Sequence, residues 1–268
     1  MKTKLRLEQL ESRDVPASLL AVGGLFIYSG DMQAHNVVIS DDGHGDVAGV
    51  LDAGAPVFAS GITTIEALSF FGASDNIAII ANARPVQKQS YLAEISGHTN
   101  LTVDDNVGSD SPFFTITVFR YFNDGATKIM LGPTGDETGQ VVNVINFFSG
   151  GSVDVNRLGA IGGYANDTIT SLSSAVRSSL KVDAVVGDSY TAGYFGASSP
   201  GSTIAMNLTV EAGSTGQVEA FAYGAIGGGD SLLLDLLDNS GNSGDRAEIT
   251  HGPGAIITAT ANVAVLSY

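Results

Sequence analysis

Short apolar runs closed by turn residues recur along this chain, and that pattern constrains its fold most. Leu25-Phe26-Ile27-Tyr28, Val37-Val38-Ile39, Ile77-Ala78-Ile79-Ile80, Thr115-Ile116-Thr117-Val118-Phe119 and Lys128-Ile129-Met130-Leu131 are examples, and 141–148, 204–210 and 255–266 are longer ones. They are rich in β-branched residues and bounded by Gly, Asp, Asn, Ser and Pro, which predicts strands rather than helices. Asn123-Asp124-Gly125 and Asp41-Asp42-Gly43 have turn chemistry, because these residues tolerate positive φ. One segment competes. Ile169, Leu172, Val176 and Leu180 recur at helical spacing, although the serines among them bond local backbone and weaken a helix.

A repeat extends the argument. Gly159-Ala160-Ile161-Gly162-Gly163 returns as Gly224-Ala225-Ile226-Gly227-Gly228, and each copy is followed by an Asp and then apolar residues. A weaker relative is Phe71-Gly72-Ala73-Ser74-Asp75-Asn76-Ile77. Each unit reads as strand, glycine turn, Asp, strand. Units that cannot close a core alone are stacked in solenoids. The expected fold is therefore all-β, an irregular parallel β-helix or β-solenoid with rungs of roughly 20 residues. A β-sandwich is the alternative, since the period is not strict.

Composition narrows function. With 44% hydrophobic residues, the 268-residue chain as a whole is not intrinsically disordered. A net charge of −16 argues against nucleic acid as a partner, because binding it requires a basic footprint. The absence of Cys removes disulfides, thiolate metal sites and cysteine nucleophiles. The charge is uneven: Lys2, Lys4, Arg6 and Arg13 make the first thirteen residues net +2, against −18 for the rest. That asymmetry predicts a leader at residues 1–17 and one β-solenoid-like domain at 18–268. The apolar run at 15–28 is too short to cross a bilayer as a helix, so no transmembrane helix is expected.

Within the leader, residues 7–17 read LEQLESRDVPA. This resembles the N-terminal LExLExRxxPA motif, related to the LEPR-XLL type, of exported and surface proteins of planctomycete bacteria. The resemblance covers about a dozen residues and implies a secreted or cell-surface location, but no chemistry. A short amphipathic helix opening a soluble protein is the alternative.

Gly162-Gly163-Tyr164-Ala165-Asn166-Asp167-Thr168-Ile169-Thr170 resembles the calcium-binding RTX nonapeptide GGxGxDxUx, departing from it at Ala165. The resemblance implies Ca²⁺ held by Asn166 and Asp167, with Asp75 and Asp230 in the related copies. Against it, these aspartates are widely separated along the chain rather than in tandem, so plain turns before strands are the preferred reading. The acidic clusters around Asp41, Asp104 and 238–245 read as solvated turns. Gly229-Asp230-Ser231-Leu232 spells the block of the GDSL serine esterases. That family is α/β and carries the block early in the chain, so the match is read as chance. His35, His44, His98 and His251 are isolated, without paired ligand spacing.

The sequence thus predicts a non-catalytic exported protein of the cell surface or envelope with a structural or adhesive role and no required cofactor. The alternatives are a Ca²⁺-binding β-roll module and a polysaccharide-active β-helix enzyme. Expected partners are envelope components or polysaccharide, with self-association through open strand edges.

Overall fold

Alternation of inward and outward side chains governs the strands, as a half-buried strand requires. The computed structural model describes residues 16–70, 73–81, 89–105, 114–132, 139–161, 164–172, 178–186, 189–197, 201–210, 218–223, 230–240, 245–261 and 264–267. In chain order the first half forms β1 (Ser18–Val22), β2 (Leu25–Ser29), β3 (Asn36–Asp41), β4 (Val47–Leu51), β5 (Val57–Ala59), β6 (Thr64–Leu68), β7 (Asn76–Ala81), β8 (Gln89–Ser96), β9 (Asn100–Asp105), β10 (Phe114–Tyr121) and β11 (Thr127–Leu131). The second half forms β12 (Gly139–Phe147), β13 (Gly151–Ile161), β14 (Tyr164–Leu172), β15 (Ser178–Val186), β16 (Ser189–Ala197), β17 (Thr203–Val210), β18 (Val218–Tyr223), β19 (Ser231–Asp238), β20 (Arg246–Ile249), β21 (Ile256–Ala261) and β22 (Ala264–Ser267).

The strands fall into two eleven-stranded sheets, ordered β1-β2-β6-β8-β10-β12-β14-β16-β18-β20-β22 and β21-β19-β17-β15-β13-β11-β9-β7-β3-β4-β5. From β6 onward the chain alternates between the sheets, and each strand pairs in parallel with its counterpart one coil away. This is a two-sheet β-solenoid. Register partners such as Thr115 and Val141, or Leu180 and Ile204, put the coil at about 25 residues through the body. The rung is longer than the sequence pattern predicts, so there are fewer turns. The segment with helical spacing is strand on both sides, at β14 and β15, with residues 173–177 outside the described set.

The first coils depart from the parallel rule. Gly23 and Gly24, at φ +58° and +86°, form a two-residue loop that folds β1 antiparallel onto β2. β4 pairs antiparallel with β3, and β5 pairs antiparallel with β4. The apolar run at 15–28 therefore includes a hairpin, and its Phe26 and Tyr28 are fully buried. Residues 1–15, which carry most of the motif resemblance, lie outside the described residues.

Between the sheets runs one continuous core. Much of it is aliphatic, for example Val118, Val144 and Ile169 in register on the first sheet. Each such side chain contributes about 1.5–3 kcal/mol on burial.

Candidate functional site

The charge distribution singles out one surface. On the first sheet, β10, β12, β14 and β16 present fourteen outward residues with described side chains, and none is charged. At the usual surface composition about four charges would be expected there. One register row reads Phe119, Ile145, Thr170, Phe195 and Tyr223, and another Thr117, Asn143, Thr168, Gly193 and Phe221. Charge returns at the borders, with Glu94 on β8 and Glu219 on β18, the latter paired to Arg246 at 2.9 Å. The opposite sheet is ordinary by contrast. Its outer face carries Lys128, Asp154, Lys181 and Asp183 on β11, β13 and β15.

Aromatic side chains order this face. Tyr121 stacks on Phe147 at 4.8 Å between centroids and lies 6.2 Å from Phe119. Just past the strand ends, Phe122 stacks on Phe148 at 5.4 Å. Phe195 and Phe221 each lie 5.6 Å from Tyr223. Gly193 makes room for one of these rings, since a Cβ there would sit 2.8 Å from the ring of Phe195.

Sequence positions 119–122 and 145–148 explain the arrangement. Alternation sends Arg120 and Asn146 inward and their aromatic neighbours outward. The Arg120 guanidinium donates to Asn146 Oδ1 at 2.8 Å and to the carbonyls of Gly125 and Gly150 at 2.6 and 2.7 Å. It is fully buried, no carboxylate among the described residues is bonded to it, and burial pulls its pKa down to about 10. The corner behind the face is thus clamped from inside. Phe122 and Phe148 turn the corner at φ +50° and +52°. In the preceding coil Gly97 holds the equivalent place at φ +69°.

The residues proposed from the RTX resemblance do not converge. Asn166 and Asp167 are neighbours on β14 and point to opposite faces. Asp167 faces the core, where Arg157 Nε and Nη2 donate to it at 2.8 and 2.5 Å and the Tyr190 hydroxyl donates at 2.6 Å. Both partners of the ion pair are fully buried. Burial works against the charge on Arg157, but Asp167 outweighs it and the net effect is a raised pKa. Asp75 accepts from the Tyr28 hydroxyl at 2.9 Å and the His35 amide at 3.0 Å, and Asp230 accepts from the Ser202 amide at 3.1 Å. The three aspartates sit in separate coils. The glycines at 162–163 and 224–229 lie outside the described residues. The acidic turn at Asp41 is not simply solvated either. Its carboxylate is buried and accepts from the Tyr91 hydroxyl at 3.1 Å and the Gly43 amide at 2.8 Å.

Two of the isolated histidines acquire carboxylate partners from distant segments. His98 pairs with Asp124 of the next coil. His35 lies between Asp52, at 2.5 Å from Nδ1, and Asp31, at 2.9 Å from Nε2. Asp31 also holds the Ala17 amide and Asp52 the Asn36 amide, so the cluster clasps the first coil. Burial disfavours the imidazolium, but the two carboxylates outweigh it and His35 titrates above its usual range. Asp31 and Asp52 titrate below theirs, chiefly through the amides of Gln33 and Asn36 and then through His35. The linkage has two signs. The His35 contribution is complete below pH 6.5 and is lost as pH rises through its raised folded value. The contributions of Asp31 and Asp52 are present above pH 3.8 and are lost as pH falls through their lowered values. Melting temperature measured against pH will therefore decline as pH rises above 6.5 in the native chain, and His35→Gln will flatten that limb. An unchanged limb in the variant would refute the clasp.

Sequence reasoning missed the aromatic corner. The signal was available: Tyr121-Phe122-Asn123-Asp124-Gly125 returns one coil later as Phe147-Phe148-Ser149-Gly150-Gly151. No protein-family model, curated protein or solved structure matches the chain at a significant level. Among the described residues, no helix is long and apolar enough to cross a membrane.

Proposed function

We propose that this chain is a non-catalytic exported protein of the cell surface or envelope, with an adhesive and structural role. The observation that supports this most is the uncharged, aromatic-ordered outer face of β10, β12, β14 and β16 in a chain of net charge −16. A patch of this kind is characteristic of an interaction surface. The stacked sheets behind it supply stiffness, because each inner coil is hydrogen-bonded to both neighbours along its length. The remaining acidity keeps copies soluble and apart. The leader resemblance at residues 7–17 supports export.

The test is localisation in the native host. Cells are fractionated, and intact cells are shaved with protease. The expected result is full-length protein in the envelope or medium and its loss on shaving. Protein confined to the cytoplasm and protected from protease would overturn the reading.

A further inference from the structure

Resting on that adhesive reading, we infer that the neutral face of the first sheet, bordered at one strand end by Phe122 and Phe148, binds an uncharged polysaccharide. Four features of the face select this partner. The first is charge. Among the described residues of the face, an anionic polymer would meet no cation, and it would be repelled by the rest of the chain. A cationic one would find no carboxylate among those residues. A neutral ligand fits.

The second is the mixture of chemistries. A sugar ring has an apolar CH face and hydroxyl edges. The rows offer both complements, with aromatic rings beside Thr117, Asn143, Thr168 and Thr170. In a bilayer the same hydroxyls and amides would lose their water without replacement.

The third is shape. Four adjacent strands about 4.8 Å apart, about 13–20 Å long over the outward residues, give a surface of about 300 Å². An extended polymer can lie across such a surface without a cleft.

The fourth is the backbone at the corner. A non-glycine residue in the left-handed region is strained, because its Cβ crowds the backbone. Gly97 shows that this corner is built at lower cost one coil earlier. At Phe122 and Phe148 the strain is borne by side chains that remain 55% and 46% exposed. Core packing gains little from rings so exposed. Strain retained with exposed rings marks a recognition position.

The experiment uses the purified full-length chain. Depletion onto microcrystalline cellulose and chitin is measured, together with retardation in gels containing laminarin, mannan or the anionic polygalacturonate. The double variant Phe122→Asn/Phe148→Asn removes both rings while keeping a residue that tolerates the left-handed region. Retention by at least one neutral glycan is expected, with affinity at least tenfold weaker in the double variant. Lys181→Ala/Asp183→Ala on the opposite sheet should bind as the native chain does.

Because the double variant could fail to fold, hydrogen exchange of the native chain is read with the retained glycan present. Slowed exchange should centre on β10, β12 and β14. The inference is overturned by any of five results: binding to none of the neutral glycans; equal binding by the double variant; loss of binding in the opposite-sheet variant; protection centred on the second sheet; or a preference for polygalacturonate or phosphatidylcholine–phosphatidylglycerol vesicles. A native dimer that the double variant abolishes would assign the face to self-association and also overturn it. Surface localisation without glycan binding would reject only this inference, whereas cytoplasmic localisation would reject the reading beneath it.

Discussion

Asp167→Asn is expected to destabilise the fold by about 3–5 kcal/mol, the usual cost of orphaning one member of a buried ion pair. The substitution keeps the shape but leaves the Arg157 guanidinium in the core without its carboxylate, where both side chains are inaccessible to water. It also weakens the acceptor of the Tyr190 hydroxyl. In a chain of this size the melting temperature should fall on the order of 10 °C. Arg157→Met combined with Asp167→Leu should recover most of the loss, because an apolar pair removes the buried charge as well as its partner. Thermal melts by circular dichroism measure both. Repeating the melts with millimolar Ca²⁺ and with chelator separates two roles for Asp167. A structural ion pair predicts the same loss in both media, whereas a cation ligand predicts a stabilisation by Ca²⁺ that disappears in Asp167→Asn. A loss under about 1 kcal/mol would show that the pair is not a keystone of the core.

The second large effect is at the corner. Gly151 has φ +72°, and a Cβ there would lie 2.4 and 2.5 Å from the carbonyl oxygens of Asp124 and Gly125. Gly151→Ala therefore combines left-handed strain of about 1–2 kcal/mol with overpacking of about 1–3 kcal/mol. Gly61 is the matched control. It has φ +73°, and a Cβ added there would meet nothing within 4 Å. Gly61→Ala should show the conformational strain alone. The difference between the two alanine variants in denaturant unfolding then isolates the close stacking of successive turns. Equal effects would mean that the backbones can separate freely. Gly125→Ala should also show a steric penalty, since its Cβ would meet the Thr99 carbonyl oxygen at 2.1 Å.

The strands were legible because their signal is local. Thr115 to Val118 alternates polar and apolar residues, and β10 follows it. The solenoid was legible as a class, but its period was not. The antiparallel additions of β4 and β5 lengthen one early coil, and the interval between the two Gly-Ala-Ile-Gly-Gly copies exceeds two coils. The placement of Asp167 within a strand was not legible for a specific reason. A glycine pair upstream suggested a turn, yet the strand begins at Tyr164 and alternation carries Asp167 inward to Arg157 on the preceding strand. The candidate face was illegible for another reason. Its unit is a row across coils, joining residues that are a full coil apart in the chain, so it exists only once the register is known. Phe119, Ile145, Thr170 and Phe195 are inconspicuous in sequence and become neighbours only by stacking.

The stacking of each strand on its counterpart one coil away also makes size a free variable. Nothing in the body requires a distant coil to be present, so a whole coil can be gained or lost by in-frame duplication or deletion without redesigning those that remain. Such a change widens or narrows the neutral face by one strand at a time. Reach and number of contacts could then be adjusted by copying coils, while the chemistry of each row stays the same.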